Sequence, residues 1–174
     1  MLDAKGVPRG TLSETAAQQM TDSWNFAQQP HPAPVPAGER TELLKDPGFG
    51  RVFTDHMVTV RFTEGRGWHD PKIEPRGPLL MDPTSMVLHY AQEIFEGLKA
   101  YRLPDGGAAL FRADANARRF RRSAERLAMA QLPEAIFIES VRALVRTDRE
   151  WFPDIEGGSL YLRCLLYTSD AADE

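Results

Sequence analysis

Residues 85–101 constrain this chain more than any other part of it. Pro83 with Thr84 or Ser85 is suited to opening a helix, and Met86, Tyr90 and Phe95 lie along that helix or just past it. The apolar, helix-like spacing then gives way to the alternation of a strand, with Gly97 read as the pivot. From residue 98 to 103 and from 108 to 112 two extended runs flank Pro104, Asp105, Gly106 and Gly107, a strong hairpin signal. One short region therefore demands a helix, a strand and a hairpin in succession.

The flanking sequence extends the same mixture. Residues 57–62 are β-branched and partly alternating, and residues 64–67 supply a turn after them. A second extended segment is expected over residues 71–81. A long helix is predicted from Asp114, with Ala117, Phe120, Ala124, Leu127 and Ala128 as its buried stripe. Another is predicted from Pro133 to about Trp151, with Ile136, Val141, Leu144 and Val145 on the apolar side, and a strand over residues 159–166. Hairpins and paired helices without regular βαβ alternation point to an α+β domain rather than a doubly wound one.

Residues 39–163 carry this domain, and residues 1–38 read as a mobile Pro/Gln-rich extension. Its segment 28–36 favours extended, polyproline-like conformations, with Trp24 and Phe26 as possible anchors to a surface. Hydrophobic residues at 42% and charged residues at 26% of 174 are ordinary for a soluble globular protein. A net charge of −4 argues against nucleic-acid or anionic-membrane partners. Cys164 is the one cysteine, so neither an intrachain disulfide nor a cysteine-based zinc site is expected. No signal-peptide core or membrane-length apolar run is seen, and the expected location is cytoplasmic.

Few residues point to chemistry by themselves. Arg112, Arg118, Arg119, Arg121, Arg122 and Arg126 crowd one helix, which a solvated basic face with Glu125 as partner would explain. Helical geometry divides them: Arg118 and Arg122 lie roughly opposite Phe120, whereas Arg119 falls at the edge of the buried stripe near the helix N-terminus. An anion such as a phosphate can sit there, held by the guanidinium fork. On the last strand, Tyr161 and Arg163 share one face and Leu160 and Leu162 the other. That places a phenol beside a guanidinium, able to orient a carboxylate, or simply forms the outer face of an edge strand. Tyr90 and Phe95 read equally as core rings, and His89 as a hydrogen-bonded structural histidine with no metal-ligand spacing around it. Asp55 and His56 suggest an acid–imidazole pair, yet strand neighbours point in opposite directions. No dinucleotide fingerprint, nucleophile elbow or P-loop is present.

Taken in order, residues 49–57, 89–101, 110–112, 116–119 and 159–163 resemble the N-terminal half of the branched-chain amino acid aminotransferases. The likeness covers about residues 42–163, and it includes Phe95-Glu96-Gly97-Leu98-Lys99-Ala100. It implies the small N-terminal α+β domain of the fold-type IV, D-amino acid aminotransferase-like enzymes, with the C-terminal domain missing. The implied cofactor is pyridoxal 5'-phosphate (PLP), and the implied reaction moves an amino group between leucine, isoleucine or valine and 2-oxoglutarate, giving glutamate. Such enzymes are usually homodimers.

Carried over residue by residue, Arg119 matches the arginine that binds the PLP phosphate. Phe49, Tyr90, Phe95, Tyr161 and Arg163 match residues of the substrate pocket. The family's Schiff-base lysine belongs to its C-terminal domain and matches none of Lys5, Lys45, Lys72 and Lys99. After Arg163 the family continues with Pro and a long second domain, whereas residues 164–174 here resemble translated adapter sequence. Native residues are therefore expected to end near Arg163 and the fragment to be inactive alone. The competing expectation is a non-catalytic phosphate-ligand binding module or a gene remnant.

Overall fold

In the computed structural model, residues 24–155 and 157–168 are described, so residues 1–23 of the extension and 169–174 of the expected tail lie outside it. Two three-stranded sheets organise these residues. In the first, β3 (Gly67–Pro75) runs antiparallel to β2 (His56–Thr63) and parallel to the short β1 (Ala27–Gln28). In the second, β4 (Glu93–Arg102) is central, between β5 (Ala108–Leu110) and β6 (Ser159–Tyr167), and both pairings are antiparallel. Four helices accompany them: α1 (Ala37–Leu43), α2 (Met86–Tyr90), α3 (Ala113–Arg126) and α4 (Glu134–Thr147). A 3-10 turn over Arg149–Trp151 follows α4. The architecture is α+β.

Strand β4 holds the second sheet to the helices. Ile94, Leu98 and Ala100 on its covered face meet Leu162 of β6, Ala117, Phe120 and Ala124 of α3, and Phe137, Val141 and Val145 of α4. Burying each large apolar side chain here contributes about 1.5–3 kcal/mol. Helix α4 is used on two sides. Its Ala143 faces away from that core and joins Phe26 and Ile73 in a smaller cluster, with Trp24, Val58 and Val60 alongside.

The local signals explain much of this. Between β4 and β5 the amide of Leu103 donates to the Gly107 carbonyl at 2.8 Å, and Gly106 takes the left-handed conformation (φ 81°) that the turn requires. The side chain of Asp105 accepts from the Gly107 amide at 2.8 Å, closing the turn a second time. In β3 the register with β2 shifts between Thr59 and Arg61. Pro71 cannot donate to a ladder and Asp70 has φ 50°, so the irregularity falls where the strand cannot pair regularly.

Several expectations need correction. The change from helix to strand occurs at Ala91, not Gly97: Ala91 adopts φ 50°, ψ 36°, and β4 has begun by Glu93. Phe95 is consequently a strand residue. The stripe of α3 ends at Ala124, because the helix stops at Arg126, leaving Leu127 exposed and Ala128 with φ 54° beyond it. Helix α4 stops at Thr147 rather than Trp151, where the chain tightens into the 3-10 turn. The second extended segment ends as a strand at Pro75 rather than reaching Met81.

The extension and the expected tail are both engaged with the fold where they are described. Phe26, one of the two residues read as anchors, is buried, and the Gln29 amide donates to the Ile73 carbonyl at 2.8 Å. Strand β6 runs past Arg163, with Cys164, Leu165, Leu166 and Tyr167 opposite Glu96, Phe95, Ile94 and Glu93.

Candidate functional site

Alternation along β4 sends successive side chains to opposite sides of the sheet. Ile94, Glu96, Leu98 and Ala100 go to the helix-covered side, while Phe95, Lys99 and Tyr101 stay exposed. Strand β6 pairs with Gly97 opposite Arg163 and Lys99 opposite Tyr161. Its own alternation buries Leu162 and leaves Tyr161 and Arg163 on the open face, as their spacing predicted.

On that open face four of the five residues expected to line a substrate pocket come together. The Arg163 guanidinium lies 5.4 Å from the ring centre of Phe95 and 5.7 Å from that of Tyr161. Phe49 meets Tyr161 edge-on, with ring centres 5.3 Å apart. Gly97 leaves room beneath them, since a Cβ there would collide with the Tyr161 hydroxyl. The result is an aromatic surface with one cation set into it. Tyr90 sits apart on α2, 74% exposed, and its ring neighbour is His89 at 6.4 Å.

Arg119 approaches β4 from the other side. Its Nε donates to Glu96 Oε2 at 2.6 Å and its Nη2 to Oε1 at 2.5 Å, a side-on, two-pronged contact. Glu96 is buried, at 3% exposure, and also accepts from the Gly97 amide at 2.8 Å and from Asn116 Nδ2 at 3.2 Å. Asn116 Nδ2 lies 3.2 Å from the Gly97 carbonyl as well, tying α3 to the strand at that residue. Desolvation pushes the Glu96 carboxyl upward, but the hydrogen bonds from Arg119, Gly97 and Asn116, with the charge of Arg119, outweigh it. The carboxyl is held below its ordinary range, and Arg119 in turn is raised by its bonds and attraction to Glu96. The neighbouring Arg118 pairs with Asp114 at 2.7 Å on the surface of α3.

An open cleft of about 220 Å³ lined by Gly97, Leu98, Lys99, Tyr101, Phe111 and Asn116 adjoins this network. Lys99 lines this cleft from the exposed face of the strand. Cys164, opposite Glu96 on β6, offers no nucleophile: burial and the charge of Glu96 push its thiol up to about 12. Among the described residues, no group of three or more acidic, cysteine or histidine side chains is arranged to hold a metal ion. His89 Nε2 lies 2.7 Å from the Pro83 carbonyl, a structural contact across α2.

Sequence reasoning missed Glu96 and Asn116. The signal for Glu96 was available, because it is a carboxylate at a core-facing position between Ile94 and Leu98. Asn116 gave none, since an amide early in a helix has many uses.

No family model matches the chain. It is 51% identical over 138 residues to the branched-chain-amino-acid aminotransferase of Mycobacterium tuberculosis, covering 79% of this chain and 38% of that protein. It is 54% identical over 144 residues to the probable branched-chain-amino-acid aminotransferase of Streptomyces coelicolor, covering 82% and 40%. With branched-chain-amino-acid transaminase 1 of Bacillus subtilis the identity is 49% over 123 residues, covering 71% and 35%. The chain spans 35–40% of the length of these curated relatives.

Proposed function

Because the chain belongs, over the matched 138 residues, to the branched-chain-amino-acid aminotransferase family, we propose that it forms the substrate-lining part of such an enzyme. The proposed reaction is amino transfer between leucine, isoleucine or valine and 2-oxoglutarate, with glutamate as the returning donor. PLP, when bound, supplies the electron sink for that chemistry. The proposed setting is a cytoplasmic homodimer. No helix among the described residues is long and apolar enough to cross a membrane.

The observation that carries the substrate reading is the Arg163 guanidinium set between the rings of Phe95 and Tyr161, with Phe49 closing on Tyr161. An aromatic wall accepts a branched aliphatic side chain, and each methylene in such a pocket discriminates by only about 1–3 kcal/mol. The same wall must accept glutamate, whose second carboxylate needs a cation or a hydroxyl. Arg163 and Tyr161 supply both. Tyr90 is proposed to complete the pocket from α2.

The residues also suit the phosphate end of PLP. Glu96 takes the side-on edge of the Arg119 guanidinium, through Nε and Nη2. The side chain is 62% exposed, so its end-on fork can receive an anion. The first turn of α3, three to six residues before, adds the positive end of its backbone dipole.

The substrate reading is tested by Arg163→Ala at the matching position of a full-length relative. Glutamate turnover is expected to fall well below valine turnover. Equal losses for the two substrates would remove the selective role of Arg163, and unchanged turnover of both would remove it from the pocket.

A further inference from the structure

The contact between Glu96 and Arg119 has an unusual balance of exposure. The acid is 4% exposed in its side chain and the base 62%. A surface ion pair would leave both partners mobile in water. Here the carboxylate is fixed from three directions, by the Gly97 amide within its own strand, by Asn116 of α3 and by Arg119 itself. It cannot swing aside to release the guanidinium when another anion arrives. Its two oxygens engage Nε and Nη2 in the plane of the guanidinium, which fixes that plane and leaves Nη1 and the second hydrogen of Nη2 as the end-on edge of an exposed side chain.

Resting on the reading that Arg119 holds the cofactor phosphate, we infer that Glu96 is the positioning residue for that phosphate site, with Asn116 as its tether. Glu96 touches no ligand in this role. It orders an otherwise flexible arginine before the phosphate binds, so less side-chain freedom is lost on binding. The alternative, that Glu96 merely competes with phosphate for Arg119, makes the opposite prediction. Neutralising a competitor would tighten phosphate binding; removing a positioning group loosens it.

The test uses the full 174-residue chain and a pair of probes that need no Schiff-base lysine. Pyridoxamine 5'-phosphate and pyridoxamine differ only at the phosphate, and their affinities are measured by titration calorimetry. For the unaltered chain the phosphorylated probe is expected to bind more tightly. Arg119→Ala should abolish that preference. Glu96→Gln should reduce it about tenfold, the scale of one hydrogen bond to a charged group. Affinity for pyridoxamine should stay unchanged, whereas a general loss of structure would weaken both probes alike.

If Arg119→Ala removes the preference while Glu96→Gln preserves or increases it, the inference is overturned and the phosphate reading stands. If the unaltered chain shows no preference, or Arg119→Ala retains it, the phosphate reading fails and takes the inference with it. Should circular dichroism show Glu96→Gln unfolded, Asn116→Ala decides instead. It keeps both charges and loses the tether, so a smaller loss of the same preference is expected, and an unchanged preference would overturn the role of Glu96.

Discussion

The imidazole Nδ1 of His56 and the carboxylate of Asp148 meet at 2.6 Å across 92 positions of chain. Asp148 caps the end of α4 and accepts a second bond from the His56 amide at 3.2 Å. One residue earlier, buried Asp55 accepts from Trp151 Nε1 at 2.9 Å and from the Val35 amide at 3.1 Å. Adjacent residues at the start of β2 thus fasten the end of α4 and the incoming N-terminal segment together.

Removing Asp148 should therefore loosen this corner. Asp148→Ala leaves the His56 amide and imidazole without their buried acceptor, at a cost of about 1–3 kcal/mol. Trp151→Phe leaves Asp55 short of a donor and should cost a similar amount. Urea denaturation of the two variants and the double variant measures both, and losses that simply add would show that the two links act independently.

Glu96 should make stability depend on acid. Its carboxyl is lowered from the ordinary value of 4.5, so the unfolded chain takes up the proton at a higher pH than the folded one. The stabilisation is complete above that ordinary value and is lost as pH falls through the lowered folded value. Denaturation at neutral pH and at successively lower pH should show Glu96→Gln losing less stability on acidification than the unaltered chain. Parallel slopes would contradict the assignment. The exposed acids Asp70, Asp82 and Asp114, also lowered, are common to both proteins and cancel.

Gly97→Ala should displace Tyr161. The added methyl meets the phenol hydroxyl and ring, and a ring pushed off the strand loses its edge contact with Phe49. The clashing atoms are the far end of a partly exposed ring, so the ring can give way and the loss of stability should be small. In a Tyr161→Ala background the same methyl has space, so a thermodynamic cycle should give a coupling of about 0.5–3 kcal/mol. A coupling near zero would mean the two residues do not share that space.

Phe26→Ala should release the N-terminal segment. Phe26 packs with Ile73 and Ala143, and truncating a buried phenylalanine costs about 3–5 kcal/mol. Limited proteolysis should then cut within residues 24–36 before the helices. Cutting that begins elsewhere at the same rate as in the unaltered chain would show that Phe26 is not the anchor.

What could be read in advance was whatever repeats locally. The faces of β6, the turn at Gly106 and the Ala117–Phe120–Ala124 stripe each follow from spacing within a few residues. The change from helix to strand was misplaced because glycine advertises a break, while the break itself is made by Ala91, whose side chain carries no such signal. Arg119 was singled out by its position at the stripe's edge, but its partner lies 23 positions earlier on another element, beyond any periodicity. His56 shows the same limit. Strand geometry turns its neighbour Asp55 the other way, and the acid that meets it lies at the end of a distant helix.

Strand β4 is a partition one side chain thick. Phe95 and Glu96 are joined by a single peptide bond, yet one belongs to the aromatic wall and the other to the arginine's support. The two faces draw on alternate positions of the strand, so Phe95 and Glu96 meet different sets of neighbours. Gly97 is the exception, since its amide binds Glu96 on one side and its missing side chain makes room for Tyr161 on the other. A substitution there would be felt on both faces of the strand at once.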